Sequence, residues 1–274
     1  MKSGYSFDKA GHVHSLDGKP IIGTTTALGI IAKPLTWWAS GLACTEFGWL
    51  NTKKSTPQER TETASKRLAE IKGMEVDAYI ELLEKAYRAH NTKKDDAADK
   101  GVDLHAEIEN YIKGQMTGTK MLFEDERIQP FVDWTKANVK RFLFSEMCCF
   151  SRKLLVGGIA DFGYVDMADN NVLGDIKSSK EAYFNQAVQL GGYDIQLSEN
   201  GGYTETGEKV WTMDKPFKYH AIFAAGAGIG KPFFNTKVES AKTAFVHALG
   251  LYKEDLFFPG FDREVQLKIK EEIK

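Results

Sequence analysis

The chain has 274 residues, of which 42% are hydrophobic and 27% charged, a composition that suits one well-buried core, alone or with a helical extension. The net charge of -2 and the pI near 6.3 exclude the general basic character of proteins that bind nucleic acid through bulk charge. No apolar run approaches the ~18 residues that a bilayer requires, and the first five residues lack a hydrophobic signal region, so we expect a cytoplasmic protein without a membrane partner.

Cysteine use agrees with a reducing compartment. The chain contains Cys44, Cys148 and Cys149. Adjacent cysteines cannot easily bridge each other, and an odd count argues against a disulfide framework. We therefore expect free thiols.

The first 50 residues predict small elements. Residues 5–16 have the pattern of a hairpin, and Pro34 separates two short helices between residues 27 and 50. Trp37 and Trp38 stand out in the second of these helices. Two interpretations remain open: the rings pack in a core or between helices, or an exposed ring stacks on an unpaired base.

The next 70 residues are mainly helical. Residues 58–90 are strong helix formers with an apolar stripe that Gly73 interrupts, which predicts two helices or one kinked helix. The charged residues 93–100 predict a connection, or the exposed first turn of a helix that ends near Lys113, and residues 114–118 predict a loop. On that helix His105 lies one turn before Glu109. Taken alone, such a histidine is more often satisfied in a core than bound to a metal.

A basic segment follows. Residues 124–142 predict a helix and residues 142–152 the first strand of a sheet. Between Trp134 and Lys153 the net charge is +4, from Lys136, Lys140, Arg141, Arg152 and Lys153 against Glu146. Two interpretations remain open for this segment. Its basic side chains contact the phosphates of a nucleic-acid backbone beside the hairpin, or they form a solvated helix face and a charged strand edge. Glu146 is interpreted as a residue on the strand face rather than as a minor acidic contributor.

The centre of the sequence is a predicted hairpin. Two strand-like runs, residues 154–167 and 172–178, flank Ala168-Asp169-Asn170-Asn171, whose residues suit a tight turn. Side chains alternate along a strand, so Asp175 and Lys177 share one face. Asp161 lies on the same face, opposite Lys177, if the loop has an odd number of residues, such as 168–170 or 167–171, or if the hairpin contains a bulge. Two carboxylates and one amine then converge, as in a site for a hard cation.

The helix predicted over residues 181–197 places Gln189 and Tyr193 on one face. Gly191 and Gly192 lie inside it, although each glycine costs about 1 kcal/mol relative to alanine. Such a cost predicts close approach of this backbone to a strand or to DNA. Strands over residues 208–214, 216–225 and 233–238 and a helix over residues 239–254 complete the prediction.

The order of these motifs resembles one enzyme family. The motifs are G-x-x-D (Gly158, Asp161), D-x-K (Asp175, Lys177) and Q-x-x-x-Y (Gln189, Tyr193). In this order they resemble the RecB-like branch of the PD-(D/E)XK nucleases. Residues 100–109 resemble the family's G-x-x-x-H-x-x-x-E segment, with His105 as the histidine. Residues 23–28 and 33–39 are similar to the S/T-rich and K-P-x-x-x-W segments of phage and mitochondrial genome-maintenance exonucleases. The matches span roughly residues 20 to 195.

The resemblance implies an α/β fold. Its expected core, over residues 101–274, is restriction-endonuclease-like, with a mixed central β-sheet flanked by helices. Residues 1–100 are expected to form a hairpin and a helical region that covers the cleft. Some relatives carry an iron–sulfur site with four cysteines; this chain lacks those ligands, so no such cluster is expected.

The resemblance also implies the roles of the site residues. Mg²⁺ or Mn²⁺ is expected to be held by the side chains of His105, Asp161 and Asp175 and by the carbonyl of Ile176. Lys177 is expected to hold the attacking water. Gln189 and Tyr193 are expected to orient a phosphate or that water. Taken in isolation, a D-x-K match is also compatible with a surface ion pair between Asp175 and Lys177.

The implied activity is exonucleolytic trimming of DNA with single-stranded ends, in phage-type replication or recombination. A phage-encoded protein would act in the host cytoplasm. Two alternatives stay open: an endonuclease that cuts flaps or branches, and a catalytically silent DNA-binding module.

Overall fold

A computed structural model describes residues 3–32, 36–119 and 125–257, with the backbone alone described at 94–103, 227 and 257. The strands are β1 (Tyr5–Asp8), β2 (Val13–Leu16), β3 (Lys19–Gly23), β4 (Val139–Ser151), β5 (Val156–Asp166), β6 (Asn171–Lys177), β7 (Gly202–Tyr203), β8 (Lys209–Trp211), β9 (Phe217–Ala224) and β10 (Phe233–Asn235). The helices are α1 (Thr24–Ala27), α2 (Thr36–Thr45), α3 (Pro57–Lys72), α4 (Val76–Thr117), α5 (Gln129–Asn138), α6 (Phe184–Asn200) and α7 (Val238–Phe257). Among the helices in these ranges, none combines the length and apolar character that a bilayer crossing requires.

The chain divides into two compact units. In the described part of the chain, residues 3–32, 106–119 and 125–257 belong to the first unit, and residues 36–105 form the second. The division falls inside α4, at the bond between His105 and Ala106. Residues 3–32 therefore belong with the sheet, whereas the sequence grouped them with the N-terminal helices.

The first unit is an α/β structure with a curled mixed sheet flanked by helices. The strands β4, β5 and β6 pair antiparallel, and β6 pairs parallel with β9. The N-terminal strand β3 pairs parallel with β5. The parallel pair of β6 and β9 needs a crossover, which α6 supplies together with β7 and β8. The central strands are buried, as parallel strands covered on their faces usually are.

The hairpin of β5 and β6 forms, with a register two residues away from the expected one. Phe162 pairs with Gly174 and Tyr164 with Val172. Continuing this ladder by one residue places Asp161 opposite Asp175, so the predicted pairing of Asp161 with Lys177 is wrong. The physical reason is the turn, in which the carboxylate of Asp166 accepts hydrogen bonds from the backbone N–H groups of Ala168 and Asn170 at 2.9 and 2.8 Å.

Two predictions about α4 are wrong. Residues 93–100, expected as a connection or a first turn, lie inside the helix, and residues 114–118, expected as a loop, are helical as far as Thr117. Charged residues and alanine have high helix propensity. A single glycine, Gly114, lowers helix stability by only about 1 kcal/mol, which the hydrogen bonds of the helix on either side of it outweigh. Residues 33–35 of the K-P-x-x-x-W segment and the side chains of residues 100–103 lie outside the described part of the chain.

The glycine pair of α6 lies against another helix rather than against a strand. A Cβ at Gly191 would lie 2.5 Å from the carbonyl carbon of Ala241 in α7, and one at Gly192 would lie 2.7 Å from the ring of Phe245. The predicted strand partner is therefore wrong, and the close approach that these glycines allow is to α7. This contact fixes α6 over the sheet.

We expect Gly191→Ala to lower the free energy of unfolding by about 1–3 kcal/mol, because the new methyl group meets main-chain atoms that cannot move aside. This loss should outweigh the helix-propensity gain of about 1 kcal/mol. Gly250→Ala in α7 is the matched control, since nothing lies within 4 Å of a Cβ at that position. Urea denaturation should show Gly250→Ala gaining about 1 kcal/mol. Equal stabilisation of both variants would contradict the helix contact.

Candidate functional site

Asp161 lies on β5, the strand between β4 and β6. It is half-buried on β5, and its Oδ2 accepts a hydrogen bond of 2.8 Å from the backbone N–H of Ile176 on β6. The bond crosses the hairpin at the point where the regular ladder ends. Asp161 is therefore held in place by the main chain of the neighbouring strand, beside the D-x-K segment.

Asp175 and Lys177 form an ion pair on β6. Lys177 Nζ lies 2.8 Å from Oδ1 and 2.6 Å from Oδ2 of Asp175, whose side chain is fully buried. Burial raises the pKa of Asp175, Lys177 lowers it, and Asp161 raises it again. Burial also lowers the pKa of Lys177, but Asp175 and Asp161 together raise it above its ordinary value. The ammonium of Lys177 is therefore held beside two acidic groups.

Glu146 of β4, interpreted from the sequence as a residue of the strand face, is a further acidic residue near Asp161. It has a φ of 48° inside a strand, in the left-handed region that non-glycine residues rarely occupy. Its neighbours Ser145 and Met147 pair with Phe162 and Ala160, so Glu146 lies level with Asp161. Desolvation, followed by repulsion from Asp161 and Glu109, raises the pKa of Glu146 to about 8, although the side chain still reaches solvent.

Three potential metal ligands come together here. One ligand atom each from His105, Glu146 and Asp161 lie within 4.8 Å of one another. His105 is half-buried on α4. The structure thus brings together two of the expected ligands, His105 and Asp161, with Glu146 as a third. Asp175 is outside this group of three, and the roles of Asp175 and of the Ile176 carbonyl stay predictions.

Tyr193 of α6 packs beside the acidic residues. Its ring lies over Gly158, where a Cβ would come within 2.5 Å of Tyr193 Cε1, which explains the glycine of the G-x-x-D motif. Burial, followed by the charges of Asp175 and Asp161, raises the pKa of Tyr193 well above its usual range. Gln189 Nε2 donates a hydrogen bond of 2.8 Å to the Tyr193 hydroxyl. The Q-x-x-x-Y pair is therefore one connected unit whose phenol stays protonated.

No protein-family model matches the chain, and a search of the curated proteins finds no match either.

The predicted basic rim is divided between the two ends of β4. Lys140 and Arg141 lie at its start, close to Lys136 of α5, whereas Arg152 and Lys153 follow its end. Arg152 contacts the carboxylate of Asp17 at 2.5 Å. The two groups are separated by the length of a 13-residue strand, so they do not form one continuous rim.

The second unit carries exposed aromatic rings. Trp37 of α2 is 91% exposed and Trp38 is 43% exposed. Packing in a core is therefore excluded for Trp37, and the interpretation as a stacking surface stays open for it. The three cysteines are free, with Cys44 exposed on α2 and Cys148 and Cys149 buried on β4.

Chemically, the site concentrates negative charge next to one amine. Glu146 and Asp161 lie close together, Asp161 also raises the pKa of Asp175, and Lys177 pairs with Asp175. Ionisation of all three carboxyl groups is costly unless a further positive charge is present. Carboxylate oxygens are the ligands of Mg²⁺ and Mn²⁺, and imidazole binds transition metals. The donor set therefore fits a divalent cation.

Proposed function

We propose that the protein is a metal-dependent deoxyribonuclease of the RecB-like PD-(D/E)XK type. The observation that carries this proposal is the convergence of Asp161 with Glu146 and with the D-x-K pair at the edge of one hairpin. Isolated D-x-K sequences are common, but this pair lies next to two further acidic side chains. The sheet, with antiparallel β4, β5 and β6 followed by a helix and the parallel strand β9, is compatible with a restriction-endonuclease-like core.

The residues that would hold Mg²⁺ or Mn²⁺ are Asp161, Glu146 and His105, with Asp175 and the Ile176 carbonyl as further candidates. When bound, such a cation would polarise the phosphoryl group and favour ionisation of a water molecule. The hydrogen bond from the Ile176 N–H to Asp161 fixes the carboxylate before any cation arrives. Such outer contacts commonly contribute 10-fold to 100-fold to metal affinity.

The remaining residues bind and orient the substrate. Lys177 keeps its positive charge because of Asp175 and Asp161, so its ammonium can donate a hydrogen bond to a phosphate oxygen or to the attacking water. It can also offset the negative charge that builds on the phosphorus oxygens. Tyr193 is protonated and accepts a hydrogen bond from Gln189. Its ring packs α6 against Gly158, near Asp161 and Asp175. Its place beside Asp175 and Asp161 supports a role in positioning.

We infer that the substrate is DNA with single-stranded ends and that cleavage is exonucleolytic. The resemblance of residues 23–28 and 33–39 to genome-maintenance exonucleases supports this choice, as does the exposed ring of Trp37, which could stack on an unpaired base.

The test is digestion of end-labelled linear and circular single-stranded DNA with Mg²⁺, with Mn²⁺ or with a chelator. We expect progressive shortening of the linear strand with either metal, no cleavage with the chelator and an intact circle. A cut circle would identify the endonuclease alternative. Binding without cleavage under every metal condition would identify a DNA-binding module and reject the nuclease.

A further inference from the structure

A basic cleft lies beside the start of β4, within the first unit. It has a volume of about 410 Å³, which falls within the range of ligand pockets in proteins. Its walls come from the end of α4, from α5 and from the first four residues of β4. Lys136, Lys140 and Arg141 form its rim, and Tyr111 and Phe142 lie among its apolar lining.

The apolar part of the cleft is preformed. The rings of Tyr111 and Phe142 meet edge to face, with centroids 6.5 Å apart. The hydroxyl of Tyr111 is hydrogen-bonded to Thr135 Oγ1 at 2.8 Å, and Thr135 Oγ1 donates to the carbonyl of Val132. These buried bonds hold α4 and α5 together, so the floor does not need to be ordered when a ligand binds.

The charged rim is available to an anion. Lys140 pairs with Asp169 and Lys136 with Asp133, but all four side chains are more than half exposed. Such surface ion pairs contribute little free energy, so a phosphate can replace the carboxylates at small cost. Arg141 is exposed and adds a planar guanidinium, which matches the geometry of phosphate oxygens. The three cations stand in contrast to the acidic site further along β4.

Two elements connect the cleft with the acidic site. Arg141 lies five residues before Glu146 on β4, a separation of roughly 17 Å along an extended strand. On α4, Glu109, whose charge raises the pKa of Glu146, lies six residues before Gln115 of the cleft, a distance of about 9 Å along the helix. One extended nucleic-acid strand can therefore reach from one to the other.

We propose that this cleft binds a nucleotide of single-stranded DNA, a few nucleotides from the bond that is cleaved. The unpaired base rests on the apolar floor, and the adjoining phosphates contact Lys136, Lys140 and Arg141. A base inside a duplex would first have to unstack and unpair, which costs free energy, so the cleft favours single strands. This inference rests on the proposed nuclease function and adds a substrate-binding subsite to it.

The test compares Lys136→Ala/Arg141→Ala with a matched control, Lys209→Ala/Lys218→Ala, which removes two exposed lysines outside the cleft. Binding of a long single-stranded oligonucleotide is measured by fluorescence anisotropy in chelator, across a series of salt concentrations. The cleft variant should bind at least roughly tenfold more weakly, because two charge-assisted contacts to phosphates are lost. Its plot of log affinity against log salt should be less steep by about 1.4, for two released phosphate contacts. The control should match the wild type.

The outcomes separate the two proposals. Unchanged affinity and salt slope in the cleft variant overturn the subsite, whatever the nuclease assay shows. An equal loss of affinity for blunt duplex DNA overturns its preference for single strands. Conversely, a wild-type protein that binds through the cleft but cleaves nothing with any metal supports the subsite and rejects the nuclease. In an active enzyme, the cleft variant should raise KM for long single strands by more than it lowers kcat.

Discussion

Replacing Asp161 by asparagine is expected to lower the rate of metal-dependent DNA hydrolysis by at least about a thousandfold, because the metal supplies several kcal/mol of transition-state stabilisation. The protein should stay folded. The amide oxygen of asparagine can still accept the hydrogen bond from the Ile176 N–H, so the variant removes the charge and keeps the contact that joins β5 to β6.

The measurement has two parts, single-turnover cleavage and Mn²⁺ binding by calorimetry in the absence of DNA. Asp214→Asn is the matched control, because Asp214 Oδ1 accepts hydrogen bonds from Asn171 and from the Lys215 N–H that asparagine can also accept. It should retain activity and metal affinity. Glu146→Gln should weaken Mn²⁺ binding in the same direction as Asp161→Asn but less, since its side chain is the more exposed. Full Mn²⁺ affinity in Asp161→Asn would contradict the assignment.

The hairpin shows how far local sequence rules reach. Alternation along β6 was enough to place Asp175 and Lys177 in contact, and the turn residues placed the hairpin itself. The same rules did not fix the register, because several odd loops satisfy the same alternation. The register depended on how the side chain of Asp166 folds back on the turn, which pattern arguments leave undetermined.

Glu146 shows where local rules fail. In a regular strand the side chains would alternate between the two faces through residue 146. No residue in Phe144-Ser145-Glu146-Met147 predicts the left-handed conformation that Glu146 adopts. That conformation is held by the pairing of β4 with β5 on either side of it. Strained residues of this kind are found preferentially at functional sites, and here the strained residue lies level with Asp161.

Gly191 is the opposite case: its energetic cost in a helix was visible in the sequence, but the partner that explains it, α7, lies 50 residues further along the chain.

Replacing Lys177 by methionine is expected to reduce cleavage by about a hundredfold to a thousandfold, the usual effect of losing one donor to a developing anion. It should also change how stability depends on pH. Asp175 is fully buried, and without its cation the carboxyl group must either stay charged or take up a proton on folding, at a cost of about 3–5 kcal/mol in neutral solution. Both effects arise from the same ammonium group, so they should appear together.

The sign of the pH effect follows from Asp175. Burial raises its pKa in the folded protein, and the variant has lost the lysine that lowers it. The folded state therefore keeps a proton that the unfolded chain releases above about pH 4. The free energy of unfolding of Lys177→Met should fall as pH rises from that value, and the variant should approach the stability of the wild type in acid.

A double-mutant cycle measures this coupling directly. Asp175→Asn/Lys177→Met carries neither charge, so it should regain most of the stability that Lys177→Met loses in neutral solution, and its stability should depend less on pH. Cleavage by the double variant should be no faster than cleavage by Lys177→Met, because removing the charge of Asp175 restores stability but does not replace the lost ammonium group. Urea denaturation across the pH range gives the stabilities, and single-turnover cleavage gives the activity. A Lys177→Met variant that is equally destabilised at every pH, or that cleaves DNA at the wild-type rate, would show that the ion pair is only a structural contact.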